Sequence, residues 1–119
     1  MRILVVDDDL DIRETLQDVL ELAGYAVAQA DNGKAALAYL QAESASPPCL
    51  ILLDLMMPVM DGWQFRAEQV KDPAMAKIPV LLLTADSRAE EKARTMTAAA
   101  GMRKPVELQE LLNVVARYC

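Results

Sequence analysis

The residues able to do chemistry in this chain stand at the ends of apolar runs. Residues 3–6 lead into Asp7-Asp8-Asp9, residues 49–53 into Asp54, residues 78–83 into Thr84, and residues 101–103 into Lys104. Each taken alone is ordinary: a solvated helix entrance, a strand-end hydroxyl, a surface lysine before a helix-starting proline. Taken together they are carboxylates, a hydroxyl and an ammonium, each at the carboxyl end of a strand-like run. The chain has no histidine, which excludes zinc–histidine sites, Ser-His-Asp triads and any phosphohistidine of its own. Its two cysteines, Cys49 and Cys119, have no spacing that suggests zinc. Cys49 reads as a buried strand residue and Cys119 as a terminal thiol without a role, in a reduced protein.

If the fold brings Asp7, Asp8 and Asp54 to one edge, three carboxylates repel one another and a divalent cation relieves the conflict. Ligands that are all oxygen favour Mg²⁺, and Mg²⁺ is suited to neutralising phosphoryl oxygens. Lys104 and Thr84 then serve the remaining phosphoryl oxygens by charge and by hydrogen bond. The chemistry that fits is in-line phosphoryl transfer to a carboxylate, where positioning and charge neutralisation do most of the work.

The elements that must position these groups follow from periodicity. The continuous apolar runs at 3–6, 49–53 and 78–83 suit strands buried on both faces; residues 25–30 give a weaker second strand, and residues 101–103 a fifth by position more than by composition. Ile12, Leu16, Val19, Leu20 and Ala23 recur at helical spacing up to Gly24. Asp11 and Glu14 have capping-box spacing there, and Asp8 or Asp9 could equally cap. Shorter helices are expected after Asp31-Asn32-Gly33 to about residue 41, and over 63–71. Ser87 and Glu90 read as a capping box opening a helix to about residue 99. Leu108, Leu111, Leu112, Val115 and Tyr118 share one face of a last helix. Strand and helix alternate five times, which implies an α/β fold with a parallel sheet covered on both faces. Right-handed crossovers and a central first strand give the doubly wound order 2-1-3-4-5. Sites in such sheets lie beyond the strands' carboxyl ends, where the order reverses, here between the first and third strands.

The whole chain is compatible with this and narrows it. At 119 residues it is expected to be one domain, 1–119; it is 54% hydrophobic and 25% charged, enough for a real core. The net charge of −6 speaks against direct nucleic-acid binding. No apolar run approaches a membrane span, and the opening strand with its aspartates is unlike a signal peptide. A cytoplasmic protein is expected.

The pattern resembles the receiver domains of bacterial response regulators, stand-alone chemotaxis-type receivers among them, over essentially the whole chain. The matching residues are Val5-Val6-Asp7-Asp8-Asp9, Leu53-Asp54-Leu55-Met56-Met57-Pro58-Val59-Met60-Asp61-Gly62, Leu83-Thr84-Ala85 and Lys104-Pro105. The resemblance implies a flavodoxin-like (βα)5 sandwich and a two-component phosphorelay function. It makes Asp54 the phosphoacceptor. Asp8, Asp54 and the backbone carbonyl of Met56 become Mg²⁺ ligands, with Asp7 acting largely through water and Asp9 outside the set. Thr84 moves toward the phosphoryl group, Ala85 leaves room for it, Lys104 holds one of its oxygens, and Lys104-Pro105 is a candidate cis peptide. The donor is a phosphohistidine on a sensor histidine kinase or histidine phosphotransfer protein, and a downstream protein partner reads the result. Such a domain catalyses only its own phosphorylation and dephosphorylation. Family analogy also gives Met56 and Asp86 a part in setting the phosphoryl lifetime.

Two departures stand out. Receivers usually carry Tyr or Phe three residues before the lysine, where this chain has Gly101, and a glycine seven before it, where this chain has Thr97. Gly101 leads to the expectation of a mobile rather than two-state fifth strand. The competing functions are a degenerate receiver serving as a protein-binding scaffold and a haloacid dehalogenase-like phosphatase. For the second, Asp7-Asp8-Asp9 supplies an Asp-x-Asp, but Asp11 stands where that family has Thr or Val. Trp63 is expected near the edge of the site.

Overall fold

The computed structural model describes residues 1–119. Its elements in chain order are β1 (Arg2–Val6), α1 (Leu10–Leu22), β2 (Ala26–Ala30), α2 (Gly33–Ala42), β3 (Leu50–Asp54), α3 (Gly62–Lys71), α4 (Pro73–Ala76), β4 (Val80–Thr84), α5 (Ala89–Thr95), β5 (Ala100–Arg103) and α6 (Leu108–Val115). The strands form one sheet in the order β2-β1-β3-β4-β5, with every neighbouring pair parallel. This is the expected flavodoxin-like order.

The apolar runs serve both faces because side chains alternate along a strand. Leu4, Val6, Ile51, Leu53, Val80 and Leu82 point to one side and pack with Ala36, Leu40, Phe65 and Ala93 of α2, α3 and α5 and with Met96 just after α5. Ile3, Val5, Leu50, Leu52, Leu81 and Leu83 point to the other and pack with Leu16 and Leu20 of α1 and Leu111 and Val115 of α6. All five residues of β3 and of β4 are buried, which is why those two strands are legible as unbroken hydrophobic runs.

Several elements depart from the sequence reading. Asp9, rather than Asp8 or an Asp11–Glu14 box, caps α1 by accepting from the backbone N–H groups of Asp11 and Ile12. Asp61 and Gln64 form a reciprocal capping box that opens α3. The expected Ser87–Glu90 box does not form: α5 has no side-chain cap, and Asp86 accepts from the Arg88 N–H instead. That helix ends at Thr95, not near residue 99, because Thr97 takes a positive φ of 59°. The turn is held by Arg66, whose guanidinium donates to the carbonyls of Met96 (3.0 Å) and Thr97 (2.7 Å). The short helix α4 was not anticipated. Gln69, fully buried, fastens it by donating to the carbonyls of Met75 and Ile78.

The cysteines also depart from expectation. Cys49 lies half-buried one residue ahead of β3 and is disulfide-bonded to Cys119, with a Cα–Cα distance of 5.6 Å. The reason is topological. α6 runs back antiparallel to the strands and delivers Cys119 to the edge at which β3 begins, a proximity that 70 residues of intervening sequence conceal.

Candidate functional site

The carboxyl ends of β1, β3 and β4 are buried, yet they carry polar groups. Asp7 is 2% exposed, Asp54 8% and Thr84 2%. Such burial is costly unless the groups are partnered, and the partners define the site. Lys104 follows β5, and its Nζ reaches Asp7 Oδ2 at 2.7 Å and Asp54 Oδ1 at 3.2 Å. Asp7 Oδ1 accepts from the Asp9 N–H at 2.9 Å. Asp8 is exposed. Asp7, Asp8 and Asp54 each offer an oxygen, all within 4.8 Å of one another. Lys104 is itself fixed from below: its N–H donates to the Thr84 carbonyl at 2.8 Å, and the peptide to Pro105 is cis.

The electrostatics reflect crowding. Burial, then the charge of Asp7, pushes the Asp54 carboxyl from 3.8 up to about 6 against the opposing pull of Lys104. Burial works against the charged form of Lys104, but its hydrogen bond to Asp7 and the charges of Asp54 and Asp7 outweigh that and raise its pKa. One lysine therefore does not neutralise the cluster. Three carboxylates, one solvent-facing, with no sulfur or imidazole donor, fit a hard divalent cation.

The remaining residues sit around this centre. Thr84 Oγ1 accepts from the Asp86 N–H at 3.2 Å. Ala85 is exposed at the end of β4, as is Met56 after β3, with 72% of its surface open. Met57 and Met60 pack on the core, whereas Met56 does not. Arg88 and Lys92 both turn to Asp86, Lys92 at 2.9 Å. The Lys92 hydrogen bond, followed by the Arg88 N–H, holds the Asp86 carboxyl down at about 2.

Two glycines owe their places to close approach. A Cβ on Gly62 would lie 2.6 Å from the Asp54 carbonyl oxygen, so the start of α3, with Trp63 next in sequence, is pressed onto the backbone of Asp54. A Cβ on Gly101 would lie 2.4 Å from the Ala89 carbonyl oxygen and 2.8 Å from the Ala93 Cβ. Helix α5 occupies the space an aromatic side chain would need there.

One supporting residue escaped the sequence reading. Arg13 donates through Nη1 to the Asp7 carbonyl at 2.7 Å and through Nε to Gln29 at 3.0 Å, and Gln29 donates to Gln17. Its only sequence signal is a helical position on the sheet-facing side of α1, shared by many arginines without such a role.

Comparison with known proteins agrees with this geometry. The sequence model of the family described as "Response regulator receiver domain" matches residues 3–116. A 14.6 kDa protein of Leptolyngbya boryana is 37% identical over all of this chain and 90% of its own length. The DNA-binding dual master transcriptional regulator RpaA of Synechocystis is 38% identical over 93% of this chain, which spans only 46% of that protein. Among solved structures, chemotaxis response regulator CheY4 of Vibrio cholerae superposes with a TM-score of 0.87 at 31% identity, covering 99% of this chain and 98% of that one. A match over this much of the sequence, joined to the same sheet order, means that the chain belongs to the response regulator receiver domain family of two-component signalling.

Proposed function

We propose that residues 1–119 act as one phosphoacceptor domain in which Asp54 takes a phosphoryl group from a phosphohistidine on a partner kinase or phosphotransfer protein. The observation that carries this is the position of Lys104 Nζ, within 3.2 Å of Asp54 and 2.7 Å of Asp7 at the mouth of an acidic cluster. In the transfer, an Asp54 oxygen attacks phosphorus, the N–P bond of the donor breaks, and the imidazole keeps the electron pair and takes up a proton. Lys104 is positioned to take a phosphoryl oxygen in place of Asp54 Oδ1, while Asp7 retains its hydrogen bond. The Thr84 hydroxyl donates to a second oxygen, and Ala85 leaves that approach open. Asp8, Asp54 and the Met56 carbonyl, with Asp7 through water, would hold Mg²⁺, which neutralises phosphoryl oxygens when bound.

An apolar groove lined by Ile12, Leu16, Val106 and Leu108 opens beside Lys104 and supports docking of a donor protein at this edge. The reading includes a cytoplasmic location and a downstream protein partner. The net charge of −6 speaks against nucleic acid as that partner. No helix is long and apolar enough to cross a membrane.

The test is a titration with Mg²⁺ and then beryllofluoride, a phosphoryl mimic, followed by fluorescence of Trp63, the single tryptophan. A saturable response that needs Mg²⁺ and vanishes in Asp54→Asn is expected. After acetyl phosphate treatment, mass spectrometry is expected to find the adduct on Asp54. Absence of any adduct would mean a binding scaffold, and an adduct on Asp7 the phosphatase-like chemistry.

A further inference from the structure

The edge of the sheet opposite Asp54 carries a second kind of chemistry, in which no phosphoryl-site residue takes part. Cys49 and Cys119 are the only cysteines in the chain and they are bonded to each other. Both are half-buried, so neither is sealed from a small reagent. Pro47 and Pro48 stiffen the approach to Cys49. Backbone N–H of Cys49 donates to the Arg2 carbonyl at 2.9 Å, which anchors the residue beside β1 whatever its sulfur is doing. The Sγ atom also lies 3.2 Å from that carbonyl oxygen, which would accept the hydrogen of a reduced thiol. The Cys49 thiol of the open form therefore has a hydrogen-bond partner ready.

On the other side of the bond, α6 is held to the sheet by Leu111 and Val115, while Tyr118 and Cys119 only border that core. The turn that carries Cys119 is fixed by its own backbone, with the N–H of Cys119 donating to the Val115 carbonyl at 3.0 Å. The bond thus ties the loosely packed end of α6 to the central strand of the sheet. The helix's other end begins just beyond the Lys104-Pro105 peptide.

We propose that Cys49 and Cys119 are a reversible redox modification site, a thiol pair that closes under oxidising conditions and fastens the carboxyl end of α6 to the start of β3. The oxidant is a low-molecular-weight disulfide such as oxidised glutathione. One cysteine thiolate attacks it, displacing one small thiol and leaving a mixed disulfide. The second cysteine attacks that bond and displaces the other small thiol. One S–S bond breaks and one forms; the protein loses two electrons and two protons, both carried off by the two released thiols. The inference does not depend on the phosphoryl chemistry, and a reversible pair is compatible with a reducing compartment, where standing disulfides are rare.

The test is equilibration of the full chain in glutathione buffers from reducing to oxidising, followed by denaturing alkylation, mass spectrometry and thermal unfolding. The expected oxidised product is a monomer lighter by about 2 Da that resists alkylation and reopens in reduced glutathione. Because the bond closes a long loop, its Tm is expected to lie roughly 10 °C above that of the reduced chain. Cys119→Ser is expected to remove the redox dependence of Tm and to keep the beryllofluoride response of Trp63. Oxidation that yields only glutathione adducts or linked dimers would overturn the proposal. So would a bond that stays closed in millimolar reduced glutathione, or a Tm equal in the two states.

Discussion

Asp54 is held in a state its surroundings disfavour. Burial and Asp7 push its carboxyl up to about 6, whereas in the unfolded chain it titrates near 3.8. The unfolded state therefore releases this proton first as pH rises, and the fold loses stability through that window, by at most about 3 kcal/mol once pH exceeds 6. Asp54→Asn keeps the shape and removes the charge. Without Mg²⁺ the variant is expected to be more stable than the wild type by roughly 1–3 kcal/mol at pH 8, with the difference closing by pH 3.5. Urea unfolding at the two pH values checks this; a variant less stable at pH 8 would show that the Lys104 contact outweighs the crowding. The candidate residues themselves were legible in the sequence because each ends an apolar run. Arg13 and Arg66 were not, since what they do is satisfy particular backbone carbonyls, and nothing in residue type or spacing reports which carbonyls need a donor.

Among the elements, α5 and β5 form the least conventional pair. Receivers usually place an aromatic side chain where this chain has Gly101, and the sequence suggests that its loss loosens the strand. The packing supplies a different reason for the glycine: the backbone of α5 at Ala89 lies so close that even a methyl group collides. Restoring the family residue by Gly101→Tyr is therefore expected to destabilise the domain by at least about 2 kcal/mol, the scale of overpacking in a tight core. A neutral result in urea unfolding would mean that α5 lifts away at little cost, which is the mobile behaviour the sequence suggested. Elsewhere the strands were easiest to read because both faces of β3 and β4 are buried. Helix ends were harder. The end of α5 depends on Thr97 adopting a positive φ under two hydrogen bonds from α3, and four-residue α4 is too short to show a period.

Across the whole molecule, the sheet joins two sites that depend on folding in the same way. Asp7 and Asp8 follow β1 and Asp54 ends β3, so their oxygens converge within 4.8 Å only when the strands are paired. The order 2-1-3-4-5 could be read from alternation and handedness, and it brings these ends together; the same order brings Cys49 and Cys119 together at the other edge, which no local pattern announces. An unfolded chain has no such carboxylate cluster, so Mg²⁺ is expected to bind the native state alone and to stabilise it by mass action. At a hundredfold excess over its dissociation constant the gain is about 2.7 kcal/mol, or a Tm higher by roughly 10 °C in a chain of this size. Asp8→Asn removes the solvent-facing carboxylate of the cluster without disturbing the buried Lys104 contacts, and it is expected to abolish most of that shift while leaving the metal-free Tm within a few degrees of the wild type. Thermal unfolding across a Mg²⁺ series reads both quantities at once. A Tm in the wild type that ignores Mg²⁺ up to tens of millimolar would mean that Lys104 alone is the counterion of this cluster.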